Sequence, residues 1–304
     1  MNYLLQKIES WLAHRPILVR RRFLRAAFIF LKIFGRCKPF YAEVVQIAHA
    51  LRIPISKAHA IAVESIFHDL LFSMEWAALA SRSFDELIED AKHVSVDNSA
   101  KIEWCLNNKS MILATLHSGC YHIAIAYLIK TYFPDRKIII IKNSALTGQE
   151  LHTIERFLAL GFDVKVFTNE AKSEFFNMLR YLRNGAVLFI LSDLPKTYGK
   201  STKVEFLDRY AYIADGILDL SSICKAPILF FRVKTDTRGD VIFSDFILNE
   251  ADQKSNMHRS AMADHIGSFV TNEIRNNPHQ WQMWGRLSEY YSEEDLSLLC
   301  SSGV

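Results

Sequence analysis

The chain has 304 residues, half of them hydrophobic and 23% charged, with few Gly or Pro, which excludes a disordered or fibrous protein and leaves room for one large core. Its net charge of +3 is too small to argue for nucleic acid as a partner. Five widely spaced cysteines, Cys37, Cys105, Cys120, Cys224 and Cys300, form no CxxC pair, so the pattern offers no zinc site and fits reduced thiols of the cytoplasm.

Positive charge is concentrated early, at Arg15, Arg20, Arg21, Arg22, Arg25, Lys32, Arg36 and Lys38. Between these lie Ile17, Leu18, Phe23, Leu24, Phe28, Phe30, Leu31 and Phe34. Arg25 and Lys32 bracket an apolar run far shorter than the roughly 20 residues that span a bilayer. A basic helix rich in Phe and Leu fits the headgroup region of an anionic membrane. Residues 1–55 are therefore expected to be a membrane-associating helical segment, with Arg20, Arg21, Arg22 and Arg25 towards the headgroups. A core helix with a solvated basic edge is the competing reading. No signal-peptide cleavage site is recognisable, so the chain is expected at the cytoplasmic side.

Helical patterning continues to about Lys109. Pro54 and Ser56 offer a helix start, and Ile61, Ala62, Ile66, Phe67, Leu70, Leu71, Met74 and Ala77 form a wide apolar face up to Ala80. Asp85–Lys92 and Asn98–Leu106 read as shorter helices. From Met111 the texture changes. Short apolar runs at Met111–Leu116, Lys137–Lys142, Asp163–Phe167, Ala186–Leu191, Pro227–Val233 and Val241–Phe246 alternate with amphipathic stretches such as Leu151–Leu160 and Ser173–Arg183. That alternation predicts an α/β domain over residues 56–304, a mostly parallel sheet covered by helices, with a helical N-terminal extension.

In open α/β sheets the reactive groups stand at the carboxyl ends of the strands. Two such ends are chemically loaded. Met111–Leu116 runs into His117-Ser118-Gly119-Cys120-Tyr121-His122, and Ala186–Leu191 runs into Ser192-Asp193-Leu194-Pro195. A third polar cluster, Glu205 to Arg209, follows soon after.

These stretches together resemble the late acyltransferases of lipid A biosynthesis, the lauroyl- and myristoyltransferases of the lysophospholipid acyltransferase superfamily. ILATLHSGCYHIA occupies the place of the family's His-x4-acid segment, with His117 matching its histidine. LRNGAVLFILSDLP looks like the segment that ends in the family's Asp, here Asp193. In VEFLDRYAYIADGILDLSSICKAPILFFRV, Arg209 matches a basic residue that ends an aromatic-rich loop. NEIRNNPHQWQMWGRL resembles a segment of paired Pro and Trp, here Pro278, Trp281, Trp284 and Arg286, and Glu75 matches a Glu on the helix before the sheet. The similarity covers roughly residues 55 to 290.

The resemblance implies the superfamily's glycerolipid acyltransferase-like fold. It implies transfer of an acyl group from a carrier-protein thioester to a hydroxyl of a lipid A-type glycolipid, at the inner membrane, with no metal or redox cofactor. His117 would be the general base, Asp193 and His122 its candidate partners, and Arg209 and Lys142 candidate contacts to phosphate, donor or oxyanion. An acidic carrier protein would be steered by a basic rim.

The departure is at position 122, where the family carries Glu or Asp and this chain has His122. A histidine cannot supply a full negative charge to orient an imidazole, and two protonated rings repel. Three readings stay open. In the first, Asp193 orients His117 instead; in the second, the acceptor is an amine, with an aminoacyl (for example glycyl) group moved to lipid A or an amine of a small product acylated; in the third, activity is lost.

Overall fold

The computed structural model describes residues 10–142, 148–168, 172–248 and 256–292. After a helical stretch over residues 10–13 come α1 (Ile17–Ile33), α2 (Tyr41–Leu51), α3 (Ile55–Ser81) and α4 (Phe84–Ala91). Pro16 and Pro54 stand immediately before α1 and α3, where a missing N–H costs nothing. Ser83 and Glu86 form a reciprocal capping box that starts α4.

A seven-stranded sheet follows, built from β1 (Val94–Val96), β2 (Met111–Thr115), β3 (Ile138–Lys142), β4 (Val164–Thr168), β5 (Val187–Leu191), β8 (Ile228–Thr235) and β9 (Asp240–Leu248). Its order is β1-β9-β8-β2-β5-β3-β4. Every pairing is parallel except β8 with β9. The expected α/β architecture, a mostly parallel sheet with a helical N-terminal part, is what the chain adopts. All six apolar runs are strands. Strand β2 lies at the centre and is buried along its whole length, which explains why MILAT reads as a continuous apolar run. Crossovers are made by α5 (Ala100–Leu106), α6 (Tyr121–Tyr132), α7 (Gly148–Ala159), α8 (Lys172–Arg183) and α9 (Gly216–Cys224), and α10 (Asn256–Asn276) follows the last strand.

Two features depart from expectation. The segment around Glu205–Arg209 is the tip of an antiparallel hairpin, β6 (Ser201–Phe206) with β7 (Arg209–Ala214). Its two-residue turn places Leu207 and Asp208 at φ of 51° and 61°. That turn ordinarily selects Asn-Gly or Asp-Gly, so Leu-Asp carries no turn signal to read. The second departure concerns charge. Arg20 and Arg21 do not face headgroups; they are buried, at 1% and 0% exposure. Arg20 engages both oxygens of Glu75 and, at 2.7 Å, Asp90, while Arg21 reaches Glu75 at 2.8 Å and Asp240 at 2.7 Å. Arg25 pairs with Glu64 and lies over the Phe67 ring. Helix α1 thus turns Arg20 and Arg21 inward, leaves Arg22 exposed, and presents Val19, Phe23, Ile29, Phe30, Leu31 and Ile33 on its surface. The inversion is stable because Glu75, Asp90 and Asp240, from three separate elements, meet those guanidiniums. Among the described residues, no helix is long and apolar enough to cross a membrane.

Candidate active site

The site forms where β2 and β5, neighbours in parallel register, both end. Thr115 pairs with Leu191, so His117 and Asp193, each two residues on, leave adjacent strands side by side. The backbone N–H of His117 donates to Asp193 Oδ2 at 2.9 Å, and the His117 ring Nδ1 lies 2.9 Å from Oδ1. Trp281 Nε1–H donates to the same Oδ2 at 2.9 Å, and the Tyr290 hydroxyl donates to the Asp193 carbonyl. An ionised carboxylate only accepts, so its bond to Nδ1 places the ring proton there and leaves Nε2 with a lone pair. The Asp193 side chain is fully buried and that of His117 is 19% exposed, so the imidazole is the member of the pair that a substrate can touch.

The loop carrying His117 is held on every side. Gln280, Trp281 and Gln282 strap it: Gly119 N–H donates to the Gln280 carbonyl, Ser118 bridges Trp281, and Gln282 N–H donates to the His117 carbonyl at 2.8 Å. The Cys120 N–H donates to Thr235 Oγ1 at 2.7 Å, and that hydroxyl donates to Asp240 at 2.6 Å. Gly119 has φ of +60°, and a Cβ there would meet Thr235 Oγ1 and the Val233 carbonyl, both at 2.8 Å. Only glycine fits this approach. Burial pushes the Cys120 thiol well above its ordinary pKa, only partly opposed by Arg21, which makes it an inert neighbour rather than a nucleophile. Among the described residues, no group of three or more His, Cys, Asp or Glu side chains is arranged to hold a metal.

His122 is not brought to His117. It sits on the first turn of α6 at 3% exposure, with its ring edge-to-face against Phe72 and Trp76, at centroid distances of 4.8 and 4.9 Å. Neither ring nitrogen has a hydrogen-bond partner among the described residues; the Glu75 backbone lies nearby without meeting hydrogen-bond geometry. Burial, incompletely offset by Glu75, lowers its pKa to about 3, so the ring is neutral at pH 7. An unfolded histidine takes up its proton near pH 6.5, and the folded one resists until about 3, so native stability is lost as pH falls between those values. His122→Phe keeps the aromatic contacts and removes that proton. It should keep activity within about threefold of the parent and reduce the acid loss at pH 5 by about 2 kcal/mol, as read by urea unfolding at pH 7 and 5. A drop in turnover of a hundredfold or more would give His122 a chemical role.

Lys142 ends β3, two strands and roughly 10 Å from the end of β2 at the usual strand spacing. Arg209 starts β7 at the hairpin tip, beside Asp208, which pairs with Arg275. Among the described residues, no hydrogen bond or ion pair links Arg209 to His117 or Asp193. Trp281 is the contact that spacing could not assign. It lies 88 residues from Asp193, and a Trp–Pro motif names no partner. Trp281→Phe removes one charge-assisted donor, worth about 1.5–3 kcal/mol. It should lower kcat roughly tenfold with KM held within about threefold of the parent, because Asp193 then orients the His117 ring less firmly. An unchanged kcat would make Trp281 merely structural.

A family model for the bacterial lipid A biosynthesis acyltransferases matches residues 62–287, a stretch that holds His117, His122, Lys142, Asp193, Arg209 and Trp281. The chain belongs to that family. It is accordingly an acyltransferase, with an acyl donor and a lipid acceptor. Among curated proteins none matches the chain. Among solved structures it is similar to the 1-acyl-sn-glycerophosphate (LPA) acyltransferase PlsC from Thermotoga maritima, at 13% identity and a TM-score of 0.39, over 84% of this chain and 98% of that one.

Proposed function

We propose that this acyltransferase moves an acyl group from a carrier-protein thioester to a hydroxyl of a lipid A-type glycolipid, with His117 as general base and Asp193 as its orienting carboxylate. The observation that carries the reading is the His117 Nδ1 to Asp193 bond at 2.9 Å, which leaves Nε2 as the base. In the reaction Nε2 takes the acceptor hydroxyl proton as the oxygen attacks the thioester carbon. The tetrahedral intermediate then expels the thiolate, which receives that proton from the imidazolium, giving ester and free thiol. The amides of residues 117–120 are all engaged by protein acceptors. That leaves the N–H groups of Tyr121 and His122, at the start of α6, as the loop donors for the oxyanion. The amine-acceptor and aminoacyl alternatives drew their support from the missing carboxylate at 122. Asp193 supplies that carboxylate, so nothing in the geometry favours them. Mass-spectrometric analysis of purified protein with acyl and aminoacyl carrier proteins and a lipid A-type acceptor tests the proposal; ester formation only with an acyl donor is the expected result. Transfer confined to an aminoacyl donor or an amine overturns it.

The same reading places the protein on the cytoplasmic face of the inner membrane. Support comes from the apolar side chains of and after α1, with Phe30, Phe34 and Phe40 exposed by 61%, 62% and 83%, and from the exposed cations Arg22, Lys32, Arg36 and Lys38. A buried Phe contributes about 1.5–3 kcal/mol, against about 1 kcal/mol per cation near an anionic surface. Replacing Phe30, Phe34 and Phe40 together with Ser should lower partitioning onto anionic vesicles by at least about a hundredfold, more than neutralising Arg22 and Lys32 does. Equal sedimentation of parent and triple variant with vesicles would rule out this face as the membrane contact.

A further inference from the structure

A cavity of about 600 Å³ lies between α3, α4, α6 and the end of α7. Its walls are aliphatic and aromatic, with Leu79, Phe84, Leu87, Ile123, Tyr127 and Phe162 prominent. The volume falls within the range of small-molecule sites, and an apolar cavity does not hold ordered water well. The exposure of its lining residues gives it a direction. Ile88, Lys92, Lys130 and Thr131 are exposed and form the mouth, whereas Arg20, Glu75, Asp90 and Val94 are buried and form the closed end.

That direction separates the cavity from the reacting centre. Lys130 lies on the last turn of α6 and His117 precedes its first turn, so the mouth stands about 14 Å along the helix from the chemistry. A molecule that enters there holds its head group away from His117 and its tail against the Arg20–Glu75–Asp90 ion pairs. Those charges are mutually compensated, so the closed end offers nothing to a charged group. The mouth does. Lys92 is engaged by Glu89, and Lys130, over the Phe84 ring at 4.9 Å, makes no ion pair among the described residues. We infer that this cavity binds a single-chain fatty acid, its chain along the apolar stripe Ile123–Ala126–Tyr127 and its carboxylate at Lys130. The site is distinct from the one that transfers acyl groups.

Calorimetric titration of delipidated full-length protein with laurate, below its micelle concentration, tests this. One laurate should bind per chain. Ala126→Trp, which fills the middle of the cavity, should weaken binding at least about tenfold, and Lys130→Gln about threefold. Methyl laurate should bind more weakly than laurate, and His117→Ala should bind laurate as the parent does. Ala91→Phe, on the α4 wall, repeats the filling test if Ala126→Trp does not fold. The assay does not use transferase activity, so it stands or falls independently of the proposed reaction. Absence of binding to the parent overturns the inference, as does equal affinity in folded filled variants. Equal affinity for the methyl ester, or loss of binding in His117→Ala, overturns it as well.

Discussion

Asp193→Asn is expected to lower turnover by about ten-thousandfold while the protein stays folded, in the manner of other oriented histidine bases. The size follows from the donors around the carboxylate. Three N–H groups converge on it: the His117 amide, the His117 ring and the Trp281 indole. An amide side chain can accept at only one of its two ends. If the Asn oxygen serves the His117 amide and Trp281, the Asn NH2 must donate to Nδ1. The ring then flips tautomer and carries its proton on Nε2, where the base is needed. His117→Ala removes the base altogether and should lower turnover by roughly a hundredfold or more. Single-turnover assays of both variants and the double variant distinguish a dyad from two separate roles. In a dyad the double variant is about as slow as the slower single one. Near-normal turnover in either single variant would refute the proposed base.

Glu75→Gln has the largest expected effect on stability. The parent places Arg20, Arg21, Glu75, Asp90 and Asp240 in one buried cluster. Burial raises the Glu75 carboxyl, and Arg21 and Arg20 more than reverse this, so it titrates below its ordinary range; at Asp240 burial outweighs Arg21, and the carboxyl lies above it. Removing the Glu75 charge leaves two buried guanidiniums under-compensated, a loss of about 3–5 kcal/mol. The thermal midpoint should drop by roughly 5–15 °C. Breaking the partly exposed Arg25–Glu64 pair with Arg25→Gln should cost less than about 1 kcal/mol. The pH dependence has a definite sign. A carboxylate with a depressed folded pKa contributes stability that is present above its unfolded pKa of about 4.3 and is lost as pH falls through the folded value. Glu75→Gln should therefore show a flatter acid profile than the parent. Equal midpoints for Glu75→Gln and Arg25→Gln would show that the cluster contributes no more than a surface pair.

Six of the seven strands, all but the short edge strand β1, and the two strand ends that carry chemistry are legible in the chain's apolar runs. Strands such as MILAT and VLFIL are buried on both faces, so they are continuous apolar runs whatever surrounds them, and a parallel sheet requires reactive loops at their carboxyl ends. His117 and Asp193 were legible for that reason. Tertiary structure alone decided which carboxylate orients the histidine. Position 122 follows His117 by five residues, yet the first turn of α6 points its ring at Phe72 and Trp76 on α3, while Asp193, 76 residues on, arrives by strand adjacency. Spacing along one chain cannot rank these, because a parallel pairing brings together residues that share no local period. The fate of the N-terminal arginines was undecidable for a similar reason. A basic helix reads as membrane-facing until Glu75, Asp90 and Asp240, contributed by elements up to 219 residues away, are placed beneath it.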